Sequence, residues 1–313
     1  MKIVLQYRAS PGFAAQIEAT FGPGAVLVID ERDKQGFARE MADAEVLLHV
    51  LEPVTAAVLA AAPHLRLVQK LGVGVNTIDL AAARSRGVAV ANMPGTNSAA
   101  VAEMALGLML AVLRRTLYLD ALTRRGEGWS PNLEILDQTG EIGGRTVGLV
   151  GFGASASRLA PVLAALGARV VYCARAPRRH SPYSFMPLEE LLEVADIVSL
   201  HLPLQDSTRG LIGEAALARM KPGAILVNTA RGELVDEAAL VLALQRGALR
   251  GAGLDVFARE PAGADNPLFA LPQVVLSPHQ AWLTPETLAR SLAVALENCR
   301  RLAAGDTLLH HLP

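Results

Sequence analysis

Three polar segments in the C-terminal half of the chain each follow a short apolar or glycine-containing run. Asn228-Thr229-Ala230-Arg231-Gly232 follows Ala224–Val227, and Leu254-Asp255-Val256-Phe257-Ala258-Arg259-Glu260-Pro261 follows the run that starts at Gly251. Ser277-Pro278-His279 follows Val274–Leu276. If the runs are strands of an open α/β sheet, the polar segments lie at strand ends, where such sheets hold ligands. Arg231 could grip a carboxylate and a neighbouring carbonyl oxygen in a fork. His279 is the natural proton donor near neutral pH, and a carboxylate such as Glu260 beside it stabilises the imidazolium. A carboxylate clamp and a proton donor, joined by a hydride donor, are what reduction of a 2-oxoacid requires. Singly, each residue has an ordinary reading: a surface ion pair, a solvated loop carboxylate, a structural histidine. Their occurrence at three strand ends argues for chemistry. His49, His64, His180, His310 and His311 read as structural or surface residues. His201 is an exception, because it lies beside Pro203 at another strand end. No third ligand accompanies His310-His311, and no metal is expected.

A hydride donor needs a cradle. Thr146–Val150 reads as a strand running into Gly151-Phe152-Gly153-Ala154-Ser155-Ala156 and then a helix. The first glycine permits a tight turn, and the second lets backbone approach a pyrophosphate. Ala156 is small enough where helix meets strand. Free N–H groups and the positive dipole end of the helix face the phosphates. Pro161 falls inside that helix and costs it a hydrogen bond. The next strand ends at Tyr172-Cys173-Ala174-Arg175, and no acidic residue occurs from Ala154 to Leu188. An Asp or Glu at that end would hold the ribose of NAD. Arg175, Arg178 and Arg179 stand there instead, which favours NADP over NAD as cofactor. Their ordinary reading is three solvated loop arginines.

These sites need strands and helices to hold them. In the first third, Lys2–Leu5, Val26–Ile29, Val46–Val50, Leu67–Lys70 and Val88–Ala91 read as strands. Helical spacing falls between them at Ala38–Ala44, Val54–Ala62 and Ile78–Arg86. A second series runs Thr146–Val150, Arg169–Tyr172, Asp196–Leu200, Ile225–Asn228, Gly251–Leu254 and Val274–Leu276. Alternation of this kind implies parallel sheets with helices on both faces, hence two doubly wound α/β units. One long helix is expected from Ala99 to about Ala121, capped by Asn97 or Ser98 and apolar nearly all round. Such a helix must be buried in its own domain or against another subunit. Arg124–Gly144 reads as an irregular connection. Pro285–Ala303 is an amphipathic helix that could return to the first unit and make that domain discontinuous.

The 313 residues fit about two domains. They are 51% hydrophobic and 19% charged, with a mean hydropathy of +0.32, enough to build two cores and exclude disorder. A net charge of −1 gives no footprint for nucleic acid or an anionic membrane. Cys173 and Cys299, the two cysteines, make no disulfide framework. The apolar stretch Met104–Leu113 is too short to span a bilayer, and the N-terminus lacks the pattern of a signal peptide. The expectation is a soluble, cytoplasmic protein.

The chain resembles the D-isomer-specific 2-hydroxyacid dehydrogenases over nearly its whole length. The matching segments are Gly72–Asp79, Pro94–Glu103, Gly151–Ala156, Ala195–Pro203, Asn228–Leu240, Gly251–Pro261 and Ser277–His279. The resemblance implies a Rossmann cofactor domain inserted in a flavodoxin-like substrate domain, with a cleft between them. Its boundaries would be residues 1–98 plus 284–313 for the substrate domain and 99–283 for the cofactor domain. It implies that Arg231 grips the substrate carboxylate and keto group. His279, paired with Glu260, would protonate the substrate oxygen, and Asp255 would bind the nicotinamide carboxamide. Val73 and Gly74 would offer N–H groups to the carboxylate. Ser98, Val101, Leu202, Pro203, Thr208 and Thr229 would join the glycine turn in holding the cofactor, as would Ala230, Ala281 and His201. It further implies a homodimer through the long helix. Cys173 stands where NAD-using members carry Asp, and the regulatory extension of the long phosphoglycerate dehydrogenases is not expected. Glu260 differs from the Gln of the formate dehydrogenase branch. Val50, Leu51 and Trp282 would face a small, weakly polar substrate such as glyoxylate, hydroxypyruvate or pyruvate. Lys70, matching an Arg of some phosphoglycerate enzymes, keeps a phosphorylated substrate open. The rival reading is a dinucleotide-sensing co-repressor with little turnover.

Overall fold

The computed structural model describes residues 1–129, 134–137 and 139–312. In chain order the first elements are β1 (Ile3–Gln6), α1 (Pro11–Phe21), β2 (Val26–Ile29), α2 (Lys34–Met41) and β3 (Val46–His49). Next come α3 (Ala56–Ala60), β4 (Leu67–Lys70), α4 (Leu80–Ser85) and β5 (Ala89–Ala91). Then follow α5 (Ser98–Leu113), α6 (Thr116–Arg124), α7 (Glu134–Asp137), β6 (Thr146–Val150), α8 (Ala154–Ala165), β7 (Arg169–Cys173) and β8 (Ser184–Phe185). The remainder comprises α9 (Leu188–Val194), β9 (Ile197–Leu200), α10 (Glu214–Arg219), β10 (Ala224–Asn228), α11 (Glu237–Gln245), β11 (Leu249–Leu254), β12 (Val274–Leu276), α12 (Pro285–Ala304) and β13 (His311–Leu312).

The chain forms two compact units, Met1–Asn97 with Trp282–Pro313, and Ser98–Ala281. In the first, the strand order is β13-β5-β4-β3-β1-β2. Strands β1, β3 and β4 are buried at every position, as central parallel strands covered on both faces must be. One face packs Phe13, Ile17, Leu288, Leu292 and Ala295 of α1 and α12 against Leu5 and Leu48. The other face packs Phe37, Met41 and Leu59. β13 pairs antiparallel with β5, an exception to the all-parallel sheet expected from the sequence. Two residues of strand leave no periodicity to read.

The second unit has the order β12-β11-β10-β9-β6-β7-β8, parallel throughout. The chain builds outward from β6 through β7 and β8, then returns to place β9 on the other side of β6. That pair of strands is the topological switch point where doubly wound sheets open a crevice. Helix α5 lies across β11 because the strand there is glycine: a Cβ on Gly253 would stand 2.8 Å from Leu108 Cβ, and one on Gly251 2.8 Å from Val112 Cγ1. The single helix expected to Ala121 is in fact two. It breaks where the apolar run ends at Arg114-Arg115, and Arg115 takes a left-handed φ of 52°. The irregular connection after it contains the turn of helix α7, while Ser130–Leu133 and Gln138 lie outside the described residues. Helix α8 continues through Pro161. Pro161 and Ser157 are both exposed, so water can satisfy the carbonyl left without its N–H partner.

Candidate active site

At the switch point, Gly151 takes a φ of 91°. A Cβ there would stand 2.5 Å from the His201 carbonyl oxygen, whereas a Cβ at Gly153 would meet nothing within 4 Å. The turn thus combines a left-handed conformation and close packing below with bare backbone above. Gly153 caps α8 without a side chain, so the first-turn N–H groups and the dipole end remain for an anion. Ala156 is fully buried, as its place against the strand demands. Phe152 stacks on Tyr172 with ring centroids 4.2 Å apart. A cleft of about 480 Å³ opens beside the turn, lined by Gly153, Ala154, Ser157, Arg178, Arg179 and His180 among others. The uncapped first turn of α8 and the arginines lining the cleft are groups that could hold the phosphates of a dinucleotide.

Arg178 and Arg179 reach this cleft, and the Arg178 N–H donates to the Tyr172 hydroxyl at 2.7 Å; Arg175 is not among its lining residues. His180, which by sequence reads as a structural or surface residue, lines it with a φ of 60°. Cys173 closes β7, and burial, then the charge of Glu189, push its thiol up. Glu189, the first acidic residue after the acid-free stretch Ala154–Leu188, is thus a carboxylate whose charge acts on this strand end from α9. Thr208 Oγ1 donates to the Pro203 carbonyl at 2.9 Å, which fixes the turn after Leu202. Thr229 Oγ1 is buried and without a partner among the described residues. Ser98 is buried at the start of α5, and Val101 lies one turn on, half-buried.

The strand ends of β10, β11 and β12 bring Arg231, Asp255, Glu260 and His279 together. His279 Nδ1 lies 2.6 Å from Glu260 Oε2, and Glu260 Oε1 accepts from the Phe257 N–H at 2.9 Å. Burial alone would raise the Glu260 carboxyl; His279, the Phe257 N–H and the Arg231 charge outweigh it and hold it below its ordinary value. With Nδ1 held by the carboxylate, Nε2 is the ring nitrogen left for a substrate oxygen. Burial lowers the Arg231 guanidinium, opposed by the charges of Glu260 and Glu233. The Asn228 side chain holds the Arg231 turn from within, donating to the Arg231 carbonyl at 2.7 Å and accepting from the Ala230 N–H at 3.0 Å.

Asp255 has a role beyond the carboxamide contact implied by the resemblance. Its carbonyl accepts from the His279 N–H at 2.6 Å, and Oδ1 and Oδ2 accept from the Gln280 and Ala281 N–H groups at 2.9 Å each. Three consecutive N–H groups are thus gathered by one residue. This offsets the left-handed φ of 54° at His279. Burial raises the Asp255 carboxyl against those hydrogen bonds.

The first unit holds its own candidates at the carboxyl ends of β3 and β4. Val50 is buried, while Leu51 and Val73 are about 43% and 42% exposed. The Val73 carbonyl accepts from the Asn92 side chain at 2.9 Å, and Gly74 follows it in the loop after β4. Trp282 packs half-buried against the core of this unit. Lys70 is buried and donates to the Val50 carbonyl. No group of three or more His, Cys, Asp or Glu residues able to hold a metal ion occurs among the described residues.

Residues 106–281 match the family model described as D-isomer specific 2-hydroxyacid dehydrogenase, NAD binding domain. A glyoxylate reductase of Korarchaeum cryptofilum is 38% identical over 281 residues, covering 87% of this chain and 84% of that protein. A D-3-phosphoglycerate dehydrogenase of Mycobacterium bovis is 44% identical over 280 residues, covering 88% of this chain but 52% of that longer protein. A solved structure from Thermus thermophilus superposes with a TM-score of 0.90 at 37% identity, covering 100% of both chains. With the glycine cradle and the Arg231, Glu260 and His279 cluster built on such a sheet, the chain belongs to the D-isomer specific 2-hydroxyacid dehydrogenase family.

Proposed function

We propose that this chain reduces a small 2-oxoacid to the D-2-hydroxyacid, of the glyoxylate or hydroxypyruvate type. The observation that carries the reading is the 2.6 Å His279–Glu260 pair beside Arg231, on a sheet that also bears the dinucleotide cradle. Arg231 would hold the substrate carboxylate and polarise the keto oxygen. His279, its Nδ1 fixed by Glu260, would deliver a proton from Nε2 to that oxygen. The nicotinamide dinucleotide supplies the hydride. Gly151, Phe152, Gly153, Ala154 and Ser155 would hold its diphosphate. Arg178 and Arg179 favour NADP, because guanidinium groups lining the cleft suit a 2′-phosphate and Cys173 puts no carboxylate at the strand end. Glu189, near Cys173, works against that preference.

Val50 and Leu51 favour a substrate with a small side chain. The strong identity to a phosphoglycerate dehydrogenase supports a phosphorylated substrate as a second reading. Lys70 speaks against it, since its ammonium is buried and donates to a main-chain carbonyl. A homodimer through α5 and α6 is supported by Leu110 and Leu117, which are 39% and 54% exposed. The test is nicotinamide absorbance decay with NADPH and NADH in parallel, against glyoxylate, hydroxypyruvate, pyruvate and phosphohydroxypyruvate. Turnover of the three small acids with NADPH is expected. Preference for phosphohydroxypyruvate would install the second reading, and tight cofactor binding without turnover would install the co-repressor.

A further inference from the structure

The ring of His201 crosses from the end of β9 to the first turn of α8. Its Nδ1 lies 3.2 Å from Ser155 Oγ and its Nε2 2.9 Å from Ser199 Oγ. The main chain of His201 is fixed as well. Its N–H donates to the Val150 carbonyl at 2.7 Å, and its own carbonyl lies directly beneath Gly151. Burial pushes the imidazole down to about 4, so at neutral pH it carries one N–H and one bare nitrogen. A neutral ring between two hydroxyls has two ordered arrangements. With hydrogen on Nε2, the ring donates to Ser199, and Ser155 gives its own proton to Nδ1. Ser155 then offers only lone pairs to the space beyond the helix. With hydrogen on Nδ1, the ring donates to Ser155 Oγ and accepts from Ser199. The Ser155 O–H is then free for another acceptor, and an anion within its reach at the N-terminus of α8 would select this second arrangement.

We propose that His201 is a positioning residue, a neutral bridge that makes the Ser155 hydroxyl a hydrogen-bond donor to the diphosphate of the bound dinucleotide. It acts through Ser155 and does not itself touch the cofactor. The proposal rests on the reading that the glycine turn holds that diphosphate.

The test is a fluorescence titration of the full chain with NADPH, giving Kd for the wild type, Ser155→Ala, His201→Leu, the double variant and His201→Asn. The asparagine amide can donate from near the position of Nδ1. Loss of a hydrogen bond to a charged acceptor predicts Kd about 10–100-fold weaker in Ser155→Ala and in His201→Leu. The double variant should be no weaker than Ser155→Ala, and His201→Asn should keep Kd within about threefold of the wild type. Additive losses in the double variant overturn the bridge, as does His201→Asn binding as poorly as His201→Leu. Should His201→Leu not fold, His201→Asn against Ser155→Ala decides: wild-type affinity in the former supports the bridge, and a loss matching the latter refutes it. A wild-type chain that binds neither NADPH nor NADH removes the underlying reading of the turn, which is a different result from binding with additive variants.

Discussion

In the first unit, two buried side chains at strand ends, His49 and Lys70, turn back onto backbone. His49 and Lys70 are register partners on β3 and β4. His49 Nε2 meets the Glu52 carbonyl at 2.7 Å, while Lys70 donates to the Val50 carbonyl. Together they clamp the segment that carries Val50 and Leu51. In the second unit, the strand-end polar groups turn toward one another: Glu260 to His279, and His201 to two serines. Asp255 and Asn228 are turned onto backbone: Asp255 holds that of His279, and Asn228 that of the Arg231 turn. The same doubly wound architecture therefore shapes a wall in one unit and assembles reactive groups in the other. The difference shows in the histidines: His49 finds its partner in a main-chain carbonyl, whereas His201 and His279 find theirs in other side chains.

Four measurements would sharpen or break this contrast. The largest effect is expected for His279→Gln, which removes the proton donor while keeping a polar side chain; kcat should fall by about 10²–10⁴. An unchanged kcat would return His279 to the structural class. Asp255→Ala should come next, because the Gln280 and Ala281 N–H groups lose their acceptors at about 1–3 kcal/mol each. Its urea midpoint should drop, together with kcat as the His279 segment loosens. A stable variant with normal kcat would mean that the loop is held by other contacts.

The third measurement concerns two histidines, the buried His49 and the half-buried His201. Burial, then the charge of Lys70, push His49 from 6.5 to about 3, and burial takes His201 from 6.5 to about 4. Each stays neutral in the fold, whereas the unfolded chain takes up protons once the pH falls below 6.5. Stability is therefore complete above pH 6.5 and declines as the pH falls. The decline is up to about 1.4 kcal/mol per pH unit for each histidine, levelling near the folded values. Urea unfolding between pH 6.5 and 5 should show this slope, reduced by one histidine's share in His49→Gln. A flat profile would mean that the rings are accessible to protons in the native state. The smallest effect is expected at the cleft. Arg178→Ala combined with Arg179→Ala should shift the ratio of NADPH to NADH efficiency toward NADH by about tenfold, equivalent to about 1.4 kcal/mol. No shift would point to Glu189 as the residue that sets cofactor preference.

Much of the fold was legible because the strands of a parallel sheet read as short runs rich in apolar and β-branched residues, at the edges as in the centre: the edge strands β2 and β12 and the central β4 fall where those runs begin and end. The helix break at Arg115 was not legible. The apolar pattern resumes at Leu117 on the far side, so periodicity carries across a residue whose left-handed conformation only the local packing sets. Arg231, Glu260 and His279 could be named because each follows a strand, and strand ends are where parallel sheets expose side chains. What Asp255 and His201 do could not be read, since their partners lie 24–26 and 46 residues away or two along the strand, and no local pattern records such pairings.

By itself, the sequence determined the alternation of strand and helix, the glycine turn that needs a left-handed φ, and the residue types that can clamp a carboxylate and pass a proton. These follow from local sterics and side-chain chemistry, which travel with the residue. Only the tertiary structure decided which nitrogen of His279 is held, that Lys70 turns inward, that Glu189 stands near Cys173, and that His201 bridges two serines. Those outcomes depend on which buried polar atoms lie within hydrogen-bonding reach once the sheets have closed, and burial makes each such pairing obligatory.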